Sequence, residues 1–273
     1  MALTRTGFTL GIRAVASLRP HEDIIPTNVQ KLALEMSKDG VQKDPIIIDR
    51  DSATVLDGMH RLAAFGALRI ENAVCCSVDY SSKAVTLRRW ARVYTTTTGD
   101  SFEQALGPST TLHRTTLAEA FGALEMREKG YAVLTSQAAF VPDGKADLPT
   151  ALESVRGFDD VSRERGWERQ FVPEDDVDLP LQEPRNFVVL LSRLTKDDVV
   201  SAGRTGRLFP CKTSMHLIDP RPVAVNFPIA ELNAATSKTL QERLKGKEGR
   251  LLPPDSTYEG RRYKERLLVL DQD

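Results

Sequence analysis

Residues 45–67 read PIIIDRDSATVLDGMHRLAAFGA, and this stretch restricts the fold more than any other. The three isoleucines between Pro45 and Asp49 are β-branched and bounded by breakers, which predicts a short buried strand. Arg50-Asp51-Ser52 supplies a turn, and Thr54–Leu56 predicts the hairpin partner. Asp57-Gly58 then ends the strand. Met59, Leu62, Ala63 and Phe65-Gly66 fall along one side of a helix that begins at once. A chain that passes from hairpin to helix this tightly must build a mixed α/β layer around the corner at 57–61.

The flanking sequence extends that layer. Ile12–Leu18 predicts a strand ending at Pro20-His21-Glu22. Residues 27–39 predict a helix, with Thr27 as candidate N-cap, a stripe of Val29, Leu32, Ala33 and Met36, and Gly40 as the stop. Ala73–Val78 predicts a further strand. Beyond residue 95 the pattern is α+β again. Helices are expected over 116–129, near 149–164 and over 229–245, with Thr195 and Asp198 marking another helix start. Strands are expected at Asn186–Ser192, around Asp219-Pro220-Arg221-Pro222 and at 267–270. Residues 141–185, rich in Asp, Glu, Pro and Arg, read as a peripheral insertion. The resulting division is 1–95 and 96–273.

Composition excludes several classes. The 273 residues are 41% hydrophobic and 27% charged, with a formal net charge of -1. That balance gives no reason to expect nucleic acid or an anionic membrane as a partner. No apolar run approaches 18 residues, and the N-terminus MALTRTGFTLGIR is too polar for the core of a signal peptide. Cys75, Cys76 and Cys211 lack C-x-x-C spacing and read as small apolar residues of a reduced, cytoplasmic protein.

Three stretches carry candidate chemistry. At Asp57-Gly58-Met59-His60-Arg61, a helix start offers backbone N–H groups and partial positive charge to a phosphate. Gly58 permits close approach, Arg61 can fork onto phosphate oxygens, and His60 can add a hydrogen bond. Asp57 can orient His60, contact a metal, or bind a ribose or amine. Glu22 in Pro20-His21-Glu22 reads by itself as surface charge. It becomes a candidate general base only beside a substrate hydroxyl. In PCKTSMHLIDPRP at 210–222, Lys212, Thr213, Ser214, His216 and Arg221 form either an anion-binding loop or a hydrophilic strand edge. G-x-x-x-x-G-K-[ST], the protein-kinase signature set and G-x-S-x-G are all absent.

In order and spacing, residues 13–79 resemble the ParB N-terminal-like (ParB/sulfiredoxin) domain. The shared features are Leu18-Arg19-Pro20-His21-Glu22, then Gly40 with Pro45-Ile46-Ile47-Ile48-Asp49, then the box Val55–Arg61. Within that superfamily the chain is similar to the free-serine kinases, which make O-phospho-L-serine from free L-serine with ADP or ATP. The carriers of that likeness are Phe209-Pro210-Cys211-Lys212-Thr213, His216, Arg221 and Asn226-Phe227-Pro228. Trp90 also lies about where the family keeps a substrate-side tryptophan.

The resemblance implies an α/β (α+β) fold: a ParB/sulfiredoxin-like N-terminal lobe, a second α/β lobe, and an active-site cleft between them. It implies Glu22 as the base on the serine hydroxyl, with His60 and Arg61 beside it in catalysis. Asp57, Gly58, His60, Arg61 and Lys212 would bind the nucleotide. Trp90, Thr213, Ser214, His216 and Arg221 would hold the substrate or the phosphoryl group in transfer. ADP or ATP is the implied donor, a Mg²⁺ ion is expected to bridge phosphate oxygens, and the chain acts as monomer or homodimer. Two positions depart from the archaeal pattern. Met59 stands where D-G-H-H-R has its first histidine, and Met215 stands where T-T-R-H has its arginine. Two other readings remain open here. One is a ParB-like DNA-binding regulator, which needs a helix-turn-helix after the box. The other is a non-catalytic ligand sensor.

Overall fold

The computed structural model describes residues 7–107, 110–145, 147–245 and 249–270. The first six residues of the N-terminal segment read against a signal peptide therefore lie outside the described residues. The chain divides into two compact units. The first comprises Met1–Leu87, Lys196–Cys211 and His216–Asp273, and the second comprises Arg88–Thr195 and Lys212–Met215. The expected division near residue 95 thus takes another form, because most of the last 78 residues, from Lys196 to Asp273, return to the first unit.

In the first unit a four-stranded sheet runs in the order Phe8–Ala14, Asn72–Val78, Ile46–Asp49, Val55–Asp57. The first pair is antiparallel, the second parallel, and the third is the hairpin expected from the sequence. Ile46, Ile47 and Ile48 are all buried, so this strand is covered on both faces, as central parallel strands are. Burial of each such side chain contributes about 1.5–3 kcal/mol. The first strand lies earlier than expected, and Val15–Ser17 forms a 3-10 turn in its place. The helix Pro26–Asp39 begins with Pro26 in its first turn, so Ile25 rather than Thr27 takes the N-cap position. Its Val29, Ala33 and Met36 face inward, and Gly40, at φ 68°, ends it in the left-handed conformation. A three-stranded sheet, Arg221–Val223, Leu267–Val269 and Arg250–Leu252, adds the C-terminal residues to this unit. The expected helix over 229–245 is two short ones, Ile229–Leu232 and Ser237–Leu244, because Thr236 starts a new capping box.

The second unit is built on a seven-stranded sheet. Its order is Glu168–Pro173, Val85–Thr95, Asn186–Leu191, Tyr131–Leu134, Ala139–Pro142, Leu112–Thr115, with Ser214–Ile218 also beside Val85–Thr95. Val93, Leu134, Val188 and Leu190 pack with Ala120 and Leu124 of the helix Leu117–Glu125. That helix is shorter than 116–129 because Arg127 adopts a positive φ of 57°. The stretch read as a peripheral insertion supplies the helix Leu148–Glu164, with Val155 and Phe158 buried, and the edge strand Glu168–Pro173. It therefore belongs to the core of this unit. After Gly130 the chain runs as the strand Tyr131–Leu134, where the DNA-binding reading needed a recognition helix.

Candidate active site

In the first unit the corner at 57–61 has a defined geometry. Gly58 sits at φ 101°, a conformation that side chains resist, and it is the N-cap of the helix Met59–Ala67 with no side-chain cap. The first helical bond runs from Leu62 N to Gly58 O at 2.8 Å. The N–H groups of the first turn therefore point out of the helix, the arrangement that attracts anions. His60 Nε2 accepts from Ile25 N at 3.0 Å. A backbone N–H can only donate, so Nε2 is the bare nitrogen and Nδ1 carries the proton.

Arg61 does not extend forward from this corner. Its Nη1 donates to Pro45 O at 2.6 Å and its Nη2 to Asp57 Oδ2 at 2.8 Å. A Cβ on Gly58 would meet this guanidinium at 3.3 Å, so glycine is what lets the arginine fold beneath the turn. Asp57 does not cap the helix. Its Oδ2 also pairs with Arg221 Nη1 at 3.2 Å. Arg221 is buried, donates from Nη2 to His216 O at 2.7 Å and pairs through Nε with Glu265. Burial works against the Arg221 charge, but Asp57 and Glu265 outweigh it and hold its pKa above the usual arginine value. The cation expected at the substrate therefore ties Asp57, His216 and the C-terminal strands together.

Glu22 lies in the same unit and is 8% exposed. It forms a bridge with Phe209, fixed by Phe209 N to His21 O and Asp23 N to Phe209 O, both 2.8 Å. His21 Nε2 stands 3.6 Å from Glu22 Oε1. His216 packs edge-on against His21 with ring centres 5.5 Å apart, and its Nε2 meets Tyr80 OH at 2.7 Å. Burial, reinforced by the charge of His21, pushes His216 down to about 3 despite Glu22 and Asp57 nearby. Burial likewise raises the Tyr80 hydroxyl above its ordinary value. His21, Tyr80 and Glu265 were not singled out from sequence. His21 stood in the quoted Pro20-His21-Glu22, whereas nothing local marked Tyr80 or Glu265.

The second unit gathers the other predicted residues. Lys212 adopts a positive φ of 58°, and its ammonium lies 4.9 Å from the centre of the Trp90 ring. Trp90 N donates to Thr213 O at 3.4 Å, and Arg92 Nη2 donates to Thr213 Oγ1 at 3.2 Å. Arg92 is itself held by Asp159, which also accepts from Tyr94 OH at 2.7 Å and pairs with Arg169 at 2.7 Å. Beside Trp90, buried Arg89 joins Glu125, Glu174 and Leu191 O. Ser214 is buried at the start of the strand Ser214–Ile218.

No family model matches the chain. A ParB-like protein from Sulfolobus acidocaldarius is 38% identical over 76 residues, 28% of this chain and 38% of that protein. This match spans little more than a third of the relative and bears on one segment alone. An ATP-dependent L-serine kinase from Staphylothermus marinus is 22% identical over 235 residues, 80% of this chain and 89% of that enzyme. An ADP-dependent L-serine kinase from Thermococcus kodakarensis is 20% identical, with 79% and 89% covered. Among solved structures, a free serine kinase in complex with AMP superposes with a TM-score of 0.69 at 18% identity, covering 83% of this chain and 94% of the other. The chain has the free serine kinase fold.

Proposed function

We propose that the protein transfers a phosphoryl group from ADP or ATP to the hydroxyl of free L-serine, giving O-phospho-L-serine. The observation that carries this reading is one arrangement in the first unit. A capless helix start behind Gly58 and a buried carboxylate, Glu22, occur together on a fold shared with free serine kinases. In-line phosphoryl transfer asks little else of a protein beyond positioning and charge stabilisation.

In this reading the N–H groups at 59–61 and His60 Nδ1–H receive phosphate oxygens. Arg61 contributes by fixing Asp57 and the Pro45 carbonyl, which hold the turn in shape. Glu22 takes the proton of the serine hydroxyl as its oxygen attacks phosphorus. The bond to the nucleotide oxygen breaks, and the nucleotide leaves with that electron pair. In the second unit, Trp90, Thr213 and Ser214 are the substrate-side candidates and Lys212 the nucleotide-side one. A Mg²⁺ ion would supply charge neutralisation on the phosphates. Among the described residues, however, no three His, Cys, Asp or Glu side chains are grouped to hold a metal, and Asp57 Oδ2 is shared by two guanidinium groups. These residues do not fit a protein-held ion, and no step is routed through one.

Protein mixed with L-serine and either ADP or ATP, followed by phosphorus NMR, is expected to yield the phosphomonoester resonance of phosphoserine. Its absence with both donors refutes the proposal. No helix among the described residues is long and apolar enough to cross a membrane.

A further inference from the structure

Glu265 is 7% exposed, and the end of the chain carries it to Arg221. Leu267–Val269 pairs in parallel with Arg221–Val223, and Arg221 N donates to Arg266 O at 2.9 Å, which sets residue 265 beside the arginine side chain. The buried Tyr263 ring lies 6.0 Å from the same guanidinium. Arg221 Nε donates to Glu265, Nη2 donates to His216 O at 2.7 Å, and Nη1 pairs with Asp57 Oδ2 at 3.2 Å. Asp57 Oδ2 in turn accepts from Arg61 Nη2 at 2.8 Å, and Arg61 Nη1 donates to Pro45 O at 2.6 Å. Glu265, Arg221, Asp57 and Arg61 thus form a row of alternating charges that sums to zero, all within the first unit.

One oxygen of Asp57 serves two guanidinium groups, and the two make unequal demands. Arg221 is 4% exposed, and a charge buried that deeply has to be paired. Glu265 meets most of that demand from the other end of the row. With the Glu265 charge removed, Asp57 is the carboxylate left to Arg221 among the described residues, and the Coulomb pull on it toward Arg221 grows. Arg61 is partly exposed, so water can solvate its charge and it is the partner given up. Its guanidinium rests against Pro45 O and against the turn, where a Cβ on Gly58 would stand 3.3 Å away. Releasing Arg61 therefore loosens the turn that presents the N–H groups of the helix start.

We propose that Glu265 is a positioning residue for nucleotide binding: by neutralising Arg221 it leaves Asp57 to hold Arg61, and Arg61 to hold the Gly58 turn; this rests on the kinase reading above. Glu265 acts through Arg221 and Asp57, not by contact with a reactant. The sign of its effect separates this role from simple charge. Removing a negative charge near a phosphate site tightens phosphate binding through the field of the protein. Loss of the shape of the turn weakens it.

Glu265→Gln keeps an acceptor for Arg221 Nε and removes the charge. ADP and ATP affinities are measured by calorimetry on variants shown by urea unfolding to be folded. The Kd for Glu265→Gln is expected to rise about tenfold, the size of a coupling carried through residues in contact. An unchanged or lower Kd overturns the proposal. Arg221→Met combined with Glu265→Leu removes both charges and leaves Asp57 to Arg61. It should bind ADP and ATP more tightly than Glu265→Gln does, and equal or weaker binding overturns the proposal. Nitrogen-15 NMR of the Arg61 side chain reads the same linkage without nucleotide. A guanidinium held at both Nη atoms should give two separate Nη resonances in the wild type and in the Arg221→Met, Glu265→Leu protein, and one averaged resonance in Glu265→Gln. An averaged signal in either of the first two, or separate signals in Glu265→Gln, overturns it. The double variant keeps this measurement decisive if Glu265→Gln does not fold. If the wild-type protein binds neither ADP nor ATP, the kinase reading fails by itself, while the Arg61 resonances still decide whether Glu265 governs the turn.

Discussion

Replacing His216 by Gln should flatten the dependence of stability on pH. The folded chain holds this imidazole at about 3, mainly through burial, whereas the unfolded chain exposes it at its ordinary 6.5. Below pH 6.5 the unfolded state therefore binds a proton that the folded state refuses. The contribution is fully present above pH 6.5, falls away as the pH drops, and bottoms out near pH 3. Each unit of pH in that window costs about 1.4 kcal/mol, so at pH 5 the wild type loses roughly 2 kcal/mol through this group. Glutamine retains a polar group for the Tyr80 hydroxyl, which meets His216 at 2.7 Å, while removing the titration. Urea unfolding of both proteins at pH 7.5, 6 and 5 gives the comparison. If the two stability curves run parallel between pH 7.5 and 5, His216 is not held neutral by the fold, and the buried His21–His216–Tyr80 arrangement is misread.

Three further outcomes follow from the same unit. Gly58→Ala places a Cβ at φ 101° and 3.3 Å from the Arg61 guanidinium; it should cost about 1–2 kcal/mol in urea unfolding and weaken ADP or ATP binding measured by calorimetry. Arg221→Met strands Glu265 and should cost about 3–5 kcal/mol, whereas Arg221→Met combined with Glu265→Leu should recover part of that loss by thermal or urea unfolding. Glu22→Gln should lower phosphoserine formation by at least about 100-fold while leaving nucleotide affinity unchanged, a split visible in parallel turnover and calorimetric measurements.

The legible parts of this chain are those governed by near neighbours in sequence. The isoleucines at 46–48 announced a covered strand because three β-branched residues in a row leave no polar face. The stripe Val29, Ala33, Met36 announced a helix, and only its first residue shifted, because Pro26 is better suited than Thr27 to open a helical turn. The corner at Gly58 was readable because a sign change in φ and a switch from strand to helix period coincide there. What escaped was long-range. The parallel pairing of Ile46–Asp49 with Asn72–Val78 and the return of Arg221–Val223 and Leu267–Val269 to the first unit leave no local trace. For the same reason the partners of Arg221 could not be read, since Asp57 and Glu265 lie far from it in sequence on either side. An arginine beside a binding motif looked like a ligand for an anion, and in the fold its guanidinium also meets the half-buried Asp57, the buried Glu265 and a carbonyl.

The two methionine departures carry less weight than their positions suggest. Met59 is 8% exposed and Met215 is 9% exposed, so both side chains are buried. A helix start presents its N–H groups whatever the side chain at its first residue, and a methionine turned inward takes nothing from them. On the proposed kinase reading, phosphate binding at 58–61 would rest on the backbone N–H groups, Gly58 and His60. Exchange of a histidine for Met59 alters packing before it alters ligand contacts. Met215 likewise fills space in the sheet, and the positive charge available in its unit comes from Lys212 over Trp90 and from Arg92 behind Thr213. Loss of the archaeal arginine is thus no sign of lost chemistry or of a sensor.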